Sequence, residues 1–277
     1  MQKLHVYQSR WAMELRRPDG IERTDEEAFS MVSEAGFDGM CLDLGASDME
    51  TARSTLPLFK KYDLGCMINA FPRSIDELQP VLVMAREFNA EYVNIIGQVM
   101  PFTVDEGAKV VEQWIIMANK AGVPILFETH RNCLTNDLFY TLQLMELVPE
   151  MPICADLSHY IVDREFSFPL SEYDQSLVHR ILEKADSFQG RIATREQIQI
   201  QLNFPQHRKW VDQFYEWWKK GFRLWKNRHS SNDILIFLTE LGPPEYAITG
   251  ADGFELSDRW EESLQIKDSV KKLWQTA

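Results

Sequence analysis

Eight times along the chain a short apolar run gives way to an amphipathic helical pattern, and this alternation limits the fold more than any other feature. The strand-like runs are 3–8, 37–44, 64–70, 92–97, 123–130, 151–160, 187–193 and 233–241, the fifth and sixth closing on polar groups. Helical patterns at about 24–35, 49–62, 74–88, 104–121, 135–147, 172–185, 207–227 and 258–275 follow them in turn. Short apolar runs bounded by turn residues fit strands buried on both faces, as parallel strands are when crossover helices cover the sheet. Regular alternation of strand and helix implies such a sheet. Local signals support the boundaries. Thr24 with Glu27, and Ser74 with Glu77, have capping-box spacing; Thr103 caps the fourth helix, and Gly36 and Gly122 stand where helices stop.

Eight units in 277 residues fit one closed (β/α)8 barrel, a TIM barrel, which typically takes about 250 residues. The expected organisation is one domain over 1–277, with an extended loop and a Trp-rich helix at about 194–228. An open doubly wound sheet is the other α/β solution. It usually opens on a glycine-rich turn, and neither GxGxxG nor GxxxxGK(S/T) occurs.

The formal charge of −13 argues against a nucleic-acid partner, because phosphate binding wants a basic face. It is compatible with a small neutral or metal-bound substrate. Cys41, Cys66 and Cys154 fall in apolar runs and read as small core residues, while Cys133 falls in a loop after a strand. None forms a CxxC pair, which suits a reducing, cytoplasmic compartment. No apolar leader opens the chain and no run of ~18 apolar residues occurs, so secretion and membrane spanning are not expected.

The chemistry-bearing residues stand at the ends of the later strands. Glu128, Asp156, Gln189 and Glu240 close the fifth, sixth, seventh and eighth runs. Barrel strands lie ~5 Å apart, and α/β barrels build active sites at the C-terminal ends of their strands. These four side chains can therefore converge on one ion. Three carboxylates and an amide oxygen form a hard set suited to Mg²⁺ or Mn²⁺, with Zn²⁺ or Co²⁺ as further candidates. Such an ion can act as a Lewis acid and acidify a C–H beside a carbonyl through an enediolate, with a carboxylate as base. His130 and His159 each follow a carboxylate closely and suit ligand orientation or substrate contact. Asn69 ends the third strand. Trp11 follows the first and either walls an apolar side of the pocket or packs in the core. Trp210, Trp217, Trp218 and Trp225 repeat at helical spacing and read as packing or as an oligomer face.

With these residues in view, the chain resembles the xylose isomerase-like TIM barrels. That group includes sugar isomerases, ketose 3-epimerases, inosose dehydratases and DNA-repair enzymes of the endonuclease IV type. The likeness spans essentially the whole chain and is specific in three places. Phe127-Glu-Thr-His-Arg131 looks like the family's ligand Glu with its His-Arg pair. Ala155-Asp-Leu-Ser-His159 looks like its Asp-x-x-His motif, and Thr239-Glu-Leu-Gly242 like the ligand Glu of the last strand. One position departs: Gln189-Gly-Arg191 stands where the family usually has a ligand His two residues before an Arg. An amide oxygen binds first-row transition metals less well than imidazole.

The resemblance implies that Glu128 and Glu240 act as a base pair on opposite faces of a substrate. It also implies that Arg191 or Arg195 holds a substrate hydroxyl, carboxylate or phosphate. The second metal and Lys of the hydride-shifting isomerases have no match. The histidine-rich trinuclear zinc site of the repair enzymes is not expected from six histidines and a charge of −13. The expectation is a sugar or polyol isomerase/epimerase dependent on one divalent metal ion (Mn, Mg, Co or Zn). The alternatives are a metal-dependent dehydratase of an inosose- or dehydroshikimate-type ketone, and a non-catalytic carbohydrate-binding barrel whose metal site Gln189 has impaired. The expected partner is a small sugar or polyol, with no nucleic acid or membrane; the Trp-rich helix hints at a homo-oligomer.

Overall fold

The computed structural model describes residues 1–277. Its strands are β1 Lys3–Ser9, β2 Gly39–Asp43, β3 Gly65–Ala70, β4 Val93–Ile95, β5 Ile125–Glu128, β6 Ile153–Ala155, β7 Ala185–Gln189 and β8 Ile234–Thr239. Each pairs in parallel with the next, and β8 closes on β1, so the sheet is a closed eight-stranded barrel. The helices are α1 Asp25–Glu34, α2 Met49–Ser54, α3 Leu56–Lys61, α4 Leu78–Glu87, α5 Val104–Ala121, α6 Leu138–Leu147, α7 Leu157–Asp163, α8 Glu172–Leu182, α9 Arg208–Arg228 and α10 Arg259–Thr276. The expected TIM barrel is what forms.

Side chains alternate across each strand, so every strand feeds two cores. Outward residues such as Val6, Leu42, Ile68 and Phe237 join the helices in the main core. Tyr7, Cys41, Met67, Tyr92, Leu126, Cys154, Ile236 and Leu238 fill the barrel itself. Tyr7 crosses that interior because β2 and β3 present bare backbone to it. A Cβ on Gly65 would stand 1.9 Å from the Tyr7 hydroxyl, and one on Gly39 2.3 Å from its ring. All four cysteines are buried and unpaired.

Several boundaries differ from expectation, each for a local reason. The Thr24 and Thr103 capping boxes form, and Gly122 takes the left-handed conformation at φ 67° that ends α5. The Ser74 box does not. The Glu77 carboxylate turns back to the Arg73 N–H at 2.7 Å, and α4 starts only at Leu78 without a side-chain cap. The helix expected over 49–62 is two, α2 and α3, because Pro57 lacks the N–H and crowds the carbonyl four residues before it. Strand β7 begins and ends earlier than 187–193, since the chain leaves the ladder after Gln189 to turn Arg191 into the barrel mouth. The short helix α7, directly after β6, was not expected at all. The Asp156 carboxylate caps it through the Ser158 N–H at 2.9 Å.

Trp210, Trp217, Trp218 and Trp225 are all buried against the barrel, with Trp218 edge-on to Phe237 at 5.0 Å. They therefore form no oligomer face, and the hint of a homo-oligomer loses its basis. No helix is long and apolar enough to cross a membrane.

Candidate active site at the barrel mouth

Strand register sets the site. Asp43, Asn69 and Asn94 are paired neighbours across β2, β3 and β4, so they form one polar row at the C-terminal end of the barrel. Glu128 ends β5 beside Cys154, and Gln189 ends β7 beside Leu238. Glu240 follows β8 directly. Trp11, Asn69, Glu128, His130, Arg191 and Glu240 line one cavity of about 580 Å³, together with Asp43, Phe71 and Tyr246.

Ligand atoms of Glu128, Asp156 and Glu240 lie within 4.8 Å of one another, and all three residues are buried; Glu128 and Glu240 line the cavity, and Asp156 does not. Each is held by neutral donors or by Arg191. Gln189 Nε2 donates to Glu128 Oε2 at 2.9 Å, and Asn94 Nδ2 donates to the same oxygen. Asn69 Nδ2 donates to Glu240 Oε1 at 3.1 Å. The Arg191 guanidinium grips Glu240 twice, at 2.7 Å to Oε2 and 3.1 Å to the backbone carbonyl, and stands 3.7 Å from Asp156 Oδ2. Tyr246 stacks over that guanidinium at 4.7 Å, with Trp11 farther off at 6.0 Å.

Burial dominates the protonation of these groups. It raises Glu240 to about 8, opposed by the Arg191 charge and reinforced by Asp43 and Asp156. Glu128 is pushed well above the usual carboxylate range by burial and then by the Glu240 and Asp156 charges. Burial also raises Asp156, against Arg191 and the Ser158 donors. His130 is driven down to about 3 and His159 well below its ordinary value, both by burial first, so both imidazoles are neutral. A cluster that resists ionising even beside the Arg191 guanidinium is one that a divalent cation would settle.

The donor set fits such a cation. Glu128 Oε1 has no protein donor, and Asp156 Oδ2 and Gln189 Oε1 are buried without partners. Orphaned buried oxygens are rare and point to an ion or water. Gln189 offers its N–H to Glu128 and keeps its oxygen free, which suits the ligand role its position suggested.

Of the residues singled out from sequence, the structure brings together Glu128, Asp156, Gln189, Glu240, His130, His159, Arg191, Trp11 and Asn69. It does not bring Arg195 in. That side chain is exposed and paired with Glu165 at 2.9 Å and Glu196 at 3.1 Å, because the loop turns outward after Ala193. Asp43, Asn94 and Tyr246 were missed. Asp43 and Asn94 lay inside apolar runs, and only their alignment with Asn69 at strand ends could have marked them. Tyr246 carried no signal, since its loop reaches the mouth by tertiary folding alone.

No protein-family model matches the chain, and no curated protein matches its sequence. Solved structures do match its fold. A D-allulose 3-epimerase from Methylomonas sp. in complex with D-allulose is 13% identical, with 98% of each chain covered and a TM-score of 0.61. An L-ribulose 3-epimerase is 11% identical over 99% of this chain and 95% of its own, with a TM-score of 0.61. A xylose isomerase-like TIM barrel protein from Mycobacterium smegmatis in complex with magnesium is 12% identical over 98% of this chain and 97% of its own, with a TM-score of 0.60. Over its whole length, this chain has the fold of the xylose isomerase-like TIM barrels.

Proposed function

We propose that this protein is a divalent-metal-dependent isomerase/epimerase acting on a small sugar or polyol by proton transfer beside a carbonyl. The observation that carries the reading is the buried trio of Glu128, Asp156 and Glu240, two of which line the cavity. The solved barrels of the same fold that bind D-allulose or magnesium support it. Glu128, Asp156, Glu240 and the Gln189 oxygen would hold the ion. The ion would supply Lewis-acid stabilisation of negative charge on substrate oxygens.

The remaining work falls to the chain's own residues. Glu128 and Glu240 come from β5 and β8, with β6 and β7 between them, so they reach a bound substrate from different sides. One takes the proton from the carbon beside the carbonyl, and the other returns a proton on the opposite face. Asn94 and Gln189 aim Glu128, while Asn69 and Arg191 aim Glu240. Trp11 and Tyr246 wall the cavity beside Arg191. The test is solvent deuterium exchange into ketoses, followed by NMR with Mn²⁺ present. Glu128→Gln and Glu240→Gln are each expected to slow exchange by about 10³-fold or more, while their circular dichroism stays that of the parent. Near-parental exchange in both variants would sink the reading.

A second reading, a sugar-binding barrel without catalysis, has one observation in its favour. Arg191 pairs with Glu240 at 2.7 Å and stands 3.7 Å from Asp156, a protein cation placed against two of the three carboxyls. Sugar binding of equal affinity in chelator and in Mn²⁺, measured by calorimetry, would establish it.

A further inference from the structure

A second cavity of about 580 Å³ adjoins the one at the barrel mouth. Trp11, Arg16 and Tyr246 line both, so these residues are the wall the two share, while Arg131, Ile198 and Glu245 line only the second of the pair. Trp11 meets Tyr246 edge to face, with centroids 5.2 Å apart. Arg131 Nη2 donates to the Tyr246 hydroxyl at 2.8 Å, and its guanidinium lies over the Tyr246 ring at 5.1 Å. No carboxylate pairs with Arg131, and its remaining side-chain N–H groups are unengaged. Arg16 is balanced by Glu14 at 2.8 Å, and Glu245 shares the second cavity's lining with Arg131. The lining is therefore close to neutral, and it joins aromatic faces to planar donors and acceptors.

We propose that the second cavity is a subsite for a further sugar ring, and that the substrate is a disaccharide with a ketose at one end. The inference rests on the isomerase/epimerase reading, which places the ketose in the first cavity beside Glu128 and Glu240. Small-molecule sites span ~300–1,000 Å³, so the first cavity by itself holds one sugar, and the second is room that a lone ketose leaves unused. A sugar ring needs partners that donate to its hydroxyls and accept from them, and an apolar surface for its C–H face. The unengaged Arg131 N–H groups donate, the Glu245 carboxylate accepts, and Ile198 with the Trp11–Tyr246 pair supplies the apolar surface. An anionic second group fits less well, since the Glu245 charge repels it. The oxygen linking the two rings crosses beside Tyr246, whose hydroxyl accepts from Arg131 and keeps its own proton to donate to that oxygen.

The test measures binding by calorimetry in Mn²⁺, with D-fructose set against lactulose, isomaltulose and turanose, ketoses that carry a second ring at different positions. At least one of these is expected to bind the full-length parent about tenfold or more tighter than D-fructose, the worth of one hydrogen bond to a charged group. Ile198→Trp, which fills the second cavity, should remove that advantage and leave D-fructose binding as it is in the parent. Glu245→Ala, at an exposed position, should reduce it several-fold with the fold untouched. No advantage in the parent, or one that both variants keep in full, would overturn the subsite. An advantage lost in the variants, without solvent deuterium exchange into any of these sugars, would support the subsite and count against the proposed reaction. Exchange into D-fructose with no tighter disaccharide would overturn the subsite and leave the proposed reaction standing.

Discussion

Arg191 is the residue on which the site's electrostatics turn. Its guanidinium is buried and ion-paired to Glu240 at 2.7 Å, and those charges hold it protonated despite burial. Removing one partner of a buried pair strands the other, which typically costs ~3–5 kcal/mol. Arg191→Met is therefore expected to destabilise ion-free protein by about 3 kcal/mol at pH 8. Below pH 5 Glu240, whose carboxyl burial raises to about 8, is protonated, so the penalty shrinks. Urea unfolding at the two pH values checks this; an equal penalty at both would show that packing, and not charge, is what Arg191 supplies. Gly65 is the other residue with a sharp expectation. Its missing Cβ is the space the Tyr7 hydroxyl occupies, so Gly65→Ala should cost about 1–3 kcal/mol by overpacking. Pairing it with Tyr7→Phe, which removes that hydroxyl, should recover part of the loss in the same unfolding measurement.

Among the elements, the extended loop before α9 is held by side-chain amides and a carboxyl. Gln199 clamps the Gly242 backbone from both sides, accepting from its N–H at 2.7 Å and donating to its carbonyl at 2.9 Å. Glu262 on α10 accepts from the Leu202 N–H at 2.9 Å. Burial raises that carboxyl to about 7, opposed by the Leu202 N–H and reinforced by Glu255 and Asp258. A raised folded-state value means that the native chain keeps a proton the unfolded chain has already released. Glu262's contribution is therefore complete near pH 4.5 and is lost as pH rises through about 7. Glu262→Gln removes the titration and keeps the acceptor. Its unfolding free energy should gain on the parent by up to ~3 kcal/mol between pH 5 and 7.5. Parallel stability profiles over that range, read by chemical denaturation, would refute the assignment.

At the scale of the whole molecule, a cation that binds only the folded barrel must stabilise it. At a hundred-fold excess over its dissociation constant the gain is ~2.7 kcal/mol, which corresponds to a Tm increase of roughly 5 °C for a chain of 277 residues. Mn²⁺ added to chelator-treated protein should raise Tm by this order, and Glu240→Gln should abolish most of the rise. An unchanged Tm in the parent would mean that Arg191 alone balances the three carboxyls, favouring the sugar-binding barrel. The stabilisation reaches the whole fold because the ligands come from strands β5 to β8, which the ion would tie together around the mouth.

The eightfold barrel was legible in the sequence because alternating apolar runs and capped helices are local patterns, and only a closed parallel sheet satisfies eight of them. Glu128, Asp156, Gln189 and Glu240 were legible for the same reason: each closes an apolar run, and strand ends share one face of a barrel. The rest depends on distance through space. Asn94 and Asp43 join the site by register across neighbouring strands, and Tyr246 joins by the path of a loop. Arg191 and Arg195 sit four residues apart on one loop, yet one points into the mouth and the other to solvent. Tryptophans at helical spacing look alike in sequence whether they face a partner or their own barrel. Local pattern determined the elements and the strand ends where the buried polar groups gather. Only tertiary packing decided which side chains share a cavity, because burial, hydrogen-bond partners and the fields that shift protonation belong to the closed barrel and to no segment of it.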